Sequence, residues 1–343
     1  MQPPTLSWAN LSFDVMEYNL FNDIMRRTII ANPRAAAGKV GRLWDRYQRA
    51  IFAYQGAGQV SMTDHPGHAT ELTRRAIEEG AESIVVVGGD GTLGNVVDGL
   101  SDPATGKLAD ELPSLVYLPS GTGGDFARSL GLKQTTPKQA LTQCTSRRID
   151  VGQVELIGSG GQPSFRNFIN IASFGVSGLT VEMVNKTTKV LGARASFSIG
   201  SLRALWAWRD RKVRLRVDDT FDSELTINTV AMANGRYFGG GMKIAPAAIL
   251  DDGLLDIIVV RDIKISGFVR HIGKLYRGEH LDLPHFISLQ GRQVRVDPLE
   301  TTPVPIETDG ENPGCLPLKC SVLPRAVEVI APWHRAEAIQ TDQ

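Results

Sequence analysis

The sequence predicts an α/β plus β architecture: a doubly wound α/β domain followed by an antiparallel β-sandwich, with a cleft between them. Two rhythms carry that reading. Up to about Cys144, short β-branched runs alternate with helical patterns, the signature of a parallel sheet covered by helices. From about Ile149, alternating runs follow one another across turns, as the strands of a sandwich do, with helical insertions. A chain of 343 residues suits two ordinary domains. The expected divisions are a loose extension over 1–26, the α/β domain over 27–148, the sandwich over 149–332 and a tail over 333–343.

The elements follow from local pattern. In the first half, strands are expected at 28–31, 59–62, 83–87 and 115–118. Val40, Leu43, Trp44, Tyr47, Ile51 and Tyr54 recur at spacings of three and four, one face of a helix lying on the sheet, and their aromatics are read as core. Ala69, Leu72, Ala76 and Ile77 mark a second helix that stops at Gly80, where a left-handed cap is expected. In the second half, strands are expected at 150–156, 167–172, 212–217, 225–231, 254–260, 293–296 and 326–330.

Composition excludes several classes of function. Hydrophobic residues make up 42% and charged residues 22%, and 37 basic side chains balance 37 acidic ones. No global field draws such a chain to nucleic acid. Three cysteines, Cys144, Cys315 and Cys320, form no CxxC and none lies near a usable cluster of histidines, against both a disulfide framework and a zinc site. No apolar run reaches the roughly 18 residues that span a bilayer, and no charged region precedes an apolar stretch at the N-terminus. A cytoplasmic location is expected.

Ligands of open parallel sheets sit beyond the carboxyl ends of the strands. Three loops there are polar or glycine-rich: Asn32-Pro33-Arg34-Ala35-Ala36-Ala37-Gly38-Lys39, Gly88-Gly89-Asp90-Gly91-Thr92, and Pro119-Ser120-Gly121-Thr122-Gly123-Gly124-Asp125-Phe126-Ala127-Arg128. Each alone is ordinary turn chemistry. Together on one sheet edge they make a phosphate site, with backbone N–H groups as donors. A carboxylate such as Asp90 inside that cradle repels phosphate unless a cation compensates, which points to Mg²⁺ and phosphoryl transfer. Neither GxxxxGK[ST] nor GxGxxG occurs, and protein-kinase signatures are absent.

The ordered series NPRAAAGK, GGDGTLGNVVDGL, LPSGTGGDFARSLGL, NFINIASFGVSG, ANGRYFGGGMKIAPAAILDDGLLD and ETDGE resembles the diacylglycerol kinase catalytic-domain family. That family includes soluble bacterial lipid kinases, sphingosine kinases and ceramide kinases, with NAD kinases as distant relatives. The match runs from about Thr28 to Pro332. The resemblance implies phosphorylation of a lipid hydroxyl by ATP with Mg²⁺, at a membrane surface, in a cleft between a nucleotide-binding domain and a lipid-facing sandwich. It implies that Asn32 and Pro33 border the nucleotide, that Gly38 and Lys39 approach its phosphates, and that Thr63 lies nearby. Gly88, Gly89, Gly91, Thr92, Leu93, Gly94 and Asn95, with Gly121, Thr122, Gly123 and Asp125, complete the implied nucleotide site. Glu311 matches the family's general base and Asp90 the carboxylate that organises Mg²⁺. Asp252, with the backbone of Ile249 and Leu254, matches a structural Mg²⁺ loop, although Asp-Asp-Gly is equally a hairpin turn.

Two departures stand out. Gly124 occupies a position where the family usually has Asn, and Ala35 to Ala37 replace a small hydroxyl residue. Restoring Asn at 124 is expected to preserve activity unless this glycine is held at positive φ. Between 186 and 216, nine Lys or Arg (186, 189, 194, 203, 209, 211, 212, 214, 216) face one acid, Asp210, beside Leu205, Trp206 and Trp208. Such a segment suits peripheral contact with anionic lipid, or equally an ordinary solvated helix and edge strand. A homodimer stays open. The competing readings are an NAD kinase-like enzyme and an inactive nucleotide- or lipid-binding regulator; the second is weakened because Asp90, Asp125 and Glu311 are all present.

Overall fold

The structure, a computed structural model, describes residues 26–120, 124–132, 141, 144–157, 161–180, 208–263 and 265–331. β1 (Arg27–Ala31), β2 (Gln59–Met62), β3 (Ser83–Gly88) and β4 (Ser114–Pro119) form a parallel sheet in the order β2-β1-β3-β4. Ile84, Val85, Val86 and Val87 have no exposure, because helices cover both faces of β3 and a continuous β-branched run is what such a strand requires. On one face, α1 (Ala35–Arg42) and α2 (Trp44–Gln55) place Val40, Tyr47 and Ile51 against Ile29, Val85 and Val87. On the other, α3 (His68–Glu78) and α4 (Asp90–Asp98) place Ala69, Ala76, Leu93 and Val96 against Ile30, Val86 and Tyr117.

Leu43 and Tyr54, expected on the buried face, are exposed. The periodic segment is not one helix: Leu43 leaves helical geometry (φ −112°, ψ 19°) and breaks it in two, so the phase is not carried across. Gly80 takes the expected left-handed conformation (φ 78°), with the Ala81 N–H on the Ala76 carbonyl and the Gly80 N–H on that of Ile77. Those bonds satisfy two carbonyls that the end of α3 leaves open.

The sandwich is built from β5 (Thr145–Ile157), β6 (Pro163–Phe168), β7 (Ile171–Gly175), β8 (Arg211–Val217), β9 (Phe221–Ile227), β10 (Thr229–Ala233), β11 (Leu255–Val260), β12 (Phe286–Gly291), β13 (Gln293–Pro298), β14 (Pro305–Thr308), β15 (Glu311–Cys315) and β16 (Leu318–Ala331), with α6 (Ile265–Arg277) inserted; α5 (Asp125–Ser129) precedes it in the chain. One sheet is β12-β11-β10-β7-β14-β15, and the facing one contains β16-β13-β8-β9 with β5 and β6 alongside. Phe168, Phe174, Val213, Leu215, Met232 and Ile257 fill the space between them.

Two expected strands are each two. Residues 167–172 divide at Ile169–Asn170 between β6 and β7, and 225–231 divide at Asn228 between β9 and β10, each pair lying in opposite sheets. Both are corners where the chain crosses the sandwich. Residues 326–330 do not add to the sandwich core alone: the end of β16 runs parallel to β4, pairing Val329 with Leu115 and Ile330 with Val116. The last strand therefore completes the first sheet, and β5 pairs along its length. The two halves are also pinned by Asp98 of α4, whose carboxylate accepts from Arg166 Nη1 at 2.8 Å and from the Asn167 N–H at 3.1 Å.

Candidate active site

The carboxyl ends of β1, β2 and β3 bring the first predicted residues together. The Asn32 N–H donates to the Val87 carbonyl (2.9 Å) and the Thr63 N–H to that of Ala31 (2.9 Å), while Asn32 Nδ2 donates to Thr92 Oγ1 at 3.1 Å. A Cβ on Gly88 would lie 2.5 Å from Thr92 Oγ1, so only glycine lets α4 fold back against the strand that feeds it. Past Asn32 the chain turns left-handed at Ala36 (φ 51°), Ala37 (φ 55°) and Gly38 (φ 80°). Alanine there costs about 1–2 kcal/mol per residue, and Arg42 Nη1 holds the turn through the Ala37 carbonyl at 3.1 Å. The turn leaves Gly38 partly buried and Lys39 exposed at the start of the regular helix.

Asp90 heads α4, where the helix N-terminus favours negative charge. Its Oδ2 accepts the Asp125 N–H at 2.7 Å and its Oδ1 the Tyr117 hydroxyl at 3.2 Å. Burial, reinforced by the neighbouring Asp125 carboxylate, pushes the Asp90 carboxyl up to about 6. Asp125 is itself raised by burial. It pairs with Arg128 Nη1 at 2.7 Å and accepts the Gly240 N–H at 2.8 Å. Since Gly240 belongs to the sandwich half, Asp125 closes the cleft from both sides. The Asp125 carboxylate adds to the negative potential at Asp90, and carboxylate oxygens in such a potential suit a hard divalent cation.

Across the cleft, Asp309-Gly310-Glu311 turns between β14 and β15. Asp309 sits at φ 47°, a conformation that Asp and Gly reach most readily. Its Oδ2 accepts the Ile169 N–H at 2.7 Å, and its Oδ1 those of Asn170 (3.1 Å) and Ile171 (3.0 Å). The turn is pressed on α4: a Cβ on Gly94 would lie 2.7 Å from Asp309 Cβ. Glu307 accepts the Gly310 N–H at 2.6 Å and the Ser173 hydroxyl at 2.5 Å. Burial raises both carboxyls to about 7; Glu311 adds repulsion on Glu307, and Glu307 adds it on Asp309. The exposed Glu311 thus stands at the rim of the cleft on a backbone locked by two buried carboxylates.

The loop proposed for structural Mg²⁺ is organised by Asp150, whose N–H donates to the Leu250 carbonyl (2.7 Å) and whose carboxylate accepts the N–H groups of Gly253 and Arg325, both at 2.6 Å. Asp252 is exposed and accepts the Leu254 N–H at 3.0 Å, as an Asp-Asp-Gly turn would. Desolvation raises its carboxyl, with Asp150 and Asp251 adding negative potential. Oxygen donors in a negative potential suit Mg²⁺. Asp252, with the carbonyls of Ile249 and Leu254, would hold it.

Gly121, Thr122 and Gly123 lie outside the described residues. Gly124 takes φ 61°, so the condition placed on restoring Asn fails as stated. Its physics still favours Asn, which enters the left-handed region far more readily than other side chains, and the nearest atom to an added Cβ is Ala127 Cβ at 3.8 Å. Gly124→Asn is expected to retain turnover, whereas Gly124→Val should lose about 1–2 kcal/mol of stability. Equal melting temperatures and turnover for the two variants would overturn this account.

The basic segment is partly outside the described residues, from 186 to 207. In the remainder, Arg214 is paired bidentately with Asp222 at 2.8 and 2.7 Å, and Arg216 with Asp297 at 2.8 Å. Trp208 packs on the sandwich core and under Arg211. These residues are structural in part, and only Arg209 and Lys212 are exposed there. Sequence reasoning missed Tyr117, Glu307 and Gly240. The first reads as another strand residue and the last as one of three glycines; the acid two places before Asp309 was the one available signal.

Residues 26–154 match the diacylglycerol kinase catalytic domain, and residues 170–331 the YegS C-terminal NAD kinase beta sandwich-like domain. A diacylglycerol kinase of Bacillus subtilis is 32% identical over 278 residues, spanning 80% of this chain and 85% of the relative. A probable lipid kinase YegS-like of Stenotrophomonas maltophilia is 30% identical over 295 residues, 84% and 92% of the two chains. The crystal structure of a diacylglycerol kinase from Bacillus anthracis superposes with a TM-score of 0.64 at 22% identity, over 90% of this chain and 97% of that one, which shows a shared fold. With its paired acids on one side of the cleft and its Asp-Gly-Glu turn on the other, the chain belongs to the diacylglycerol kinase family and is a phosphotransferase of lipid-kinase type.

Proposed function

We propose that this protein transfers the γ-phosphoryl group of ATP, with Mg²⁺, to the hydroxyl of a diacylglycerol-like lipid. The observation that carries this reading is the meeting of Asp90 and Asp125 with the Asp309-Gly310-Glu311 turn, packed on α4 at Gly94. A lipid alcohol is a weak acid, so a positioned carboxylate must take its proton as the new O–P bond forms. Glu311 is that base. The strand-end loops and the N-terminus of α4 orient the phosphates through backbone N–H groups, and the bond to ADP breaks as the lipid oxygen attacks in line. Mg²⁺, when bound at Asp90 and Asp125, neutralises charge on the transferring group.

The substrate's insolubility requires an interface, so the protein works on the inner face of the membrane, where ATP is available. No described helix is long and apolar enough to cross a membrane. Exposed Arg209 and Lys212, with Arg270 and Lys274 of α6, supply local positive charge, each cation near an anionic surface contributing roughly 1 kcal/mol before screening.

The test is transfer from radiolabelled ATP to mixed micelles of diacylglycerol, a sphingoid base or ceramide, with NAD in a separate arm. Label is expected in phosphatidic acid, and Glu311→Gln should lower turnover about 10²-fold or more while the nucleotide still binds. Label in NAD would replace this reading with the NAD kinase-like one. Nucleotide binding without transfer to any acceptor would leave a regulator.

A further inference from the structure

A second group of ligating side chains lies outside the phosphoryl-transfer cleft, in the loop joining β2 to α3. Asp64, His65 and His68 each offer one ligand atom, and these atoms lie within 4.8 Å of one another. The imidazoles stack with centroids 4.5 Å apart and planes at 14°. His65 Nδ1 is 2.9 Å from the Pro66 carbonyl; a carbonyl only accepts, so Nδ1 carries a proton and Nε2 is the nitrogen left to meet an ion. That Nε2 lies 3.4 Å from Asp64 Oδ1 and 3.8 Å from Glu71 Oε2. A backbone carbonyl fixing the far nitrogen is the usual outer partner of a metal-bound histidine.

His68 gives the sharper observation. Its Nδ1 lies 2.8 Å from Asp64 Oδ1 and 3.2 Å from the Asp64 backbone nitrogen. A divalent cation would take the place of the proton between such a nitrogen and carboxylate, since metal ligands bind in their deprotonated forms. Tetrahedral zinc with ligands at about 2.0–2.2 Å separates them by about 3.3–3.6 Å; the 3.4 Å spacing of His65 from Asp64 fits this, and the 2.8 Å spacing of His68 from Asp64 must open for an ion to enter. Two imidazoles and carboxylates match zinc-type ions better than Mg²⁺, which prefers oxygen.

We propose that Asp64, His65 and His68, with Glu71 at the fourth position, form a surface site for a divalent transition ion of the zinc class. The site is reachable from solvent, since three of its four side chains are exposed. It also has a structural consequence. The loop follows Thr63 at the nucleotide edge and leads into α3, where Thr70 Oγ1 donates to the Asn95 carbonyl of α4 at 2.9 Å, so an ion here braces the support of the Asp90 helix.

The experiment uses the full, tag-free chain stripped of metal, titrated with Zn²⁺ against a chromogenic chelator, with Mg²⁺ as a control ion and Co²⁺ for its visible spectrum. Wild type is expected to bind one more Zn²⁺ per chain than the His65→Gln, His68→Gln double variant. Each single variant, and Asp64→Asn, should weaken binding at least about tenfold. Metal-free thermal melts of wild type, His65→Gln and Asp64→Asn should lie close together, since those two side chains are exposed, whereas His68→Gln also removes a half-buried contact to Asp64. Identical zinc stoichiometry and affinity in wild type and double variant would overturn the proposal, leaving an ion pair between His68 and Asp64. So would a Co²⁺ spectrum abolished by Cys315→Ser but kept in the double variant.

Discussion

Asp90→Asn is expected to lower kcat by about 10²-fold or more without loss of fold. The amide keeps the volume of the carboxyl but removes the charge, and it must present an NH₂ either to the Asp125 N–H, now 2.7 Å from Oδ2, or to the Tyr117 hydroxyl, now 3.2 Å from Oδ1. The pH dependence has a definite sign. With the Asp90 carboxyl raised to about 6 from an ordinary 3.8, the folded state holds this proton more tightly than the unfolded chain. The stability it contributes is fully present below the unfolded value and is lost as pH rises through about 6. Catalysis needs the ionised form, so kcat/KM should fall as pH drops below about 6, and higher Mg²⁺ should move that limb to lower pH. Removing the acid therefore trades activity for stability: Asp90→Asn should melt at or above wild type at neutral pH. Turnover of the folded variant near the wild-type level would remove Asp90 from the mechanism.

The second large effect is expected at Asp309. Asp309→Ala strips acceptors from three backbone N–H groups at once, those of Ile169, Asn170 and Ile171. A buried donor left unsatisfied costs about 1–3 kcal/mol, so a loss of at least about 3 kcal/mol is expected for the set. Alanine is also less at ease at φ 47°, the position that aspartate and asparagine tolerate. Asp309→Asn separates the two causes, since asparagine keeps the turn but points an NH₂ at backbone donors; it should destabilise less than alanine and still reduce turnover. Urea denaturation measures the first effect and micelle assays the second. If Asp309→Asn retained both stability and turnover, the three bonds would be incidental to the placement of Glu311.

The halves of the chain were legible because each has its own period. A β-branched run such as 84–87 between turn signals reads as a strand covered on both faces, and Gly80 could be read as a left-handed stop because its φ of 78° is cheap for glycine alone. Asp90 was legible for a similar reason: a carboxylate between glycines at a strand end creates a local conflict that chemistry must resolve. The misread elements lack such local marks. The corners at Asn170 and Asn228 sit inside runs that look continuous, since a strand changing sheets keeps its alternation. β14 and β15 are short: Ile306 joins the sandwich core, but Glu307, Thr308 and Glu311 beside it serve the turn at Asp309 and the cleft, so no apolar alternation marks them.

What the sequence by itself determined is therefore the kind of layers, the strand-end loops and the acids they carry, all of which depend on residues near one another in the chain. What only the tertiary structure decided is which distant groups meet. β16 joins β4 across more than two hundred residues, Gly240 reaches Asp125, Tyr117 reaches Asp90, and the Asp309 turn rests in the space that Gly94 leaves open. Those meetings set the desolvation that raises Asp90, Glu307 and Asp309. Burial is a property of the assembled cleft, and no linear spacing encodes it.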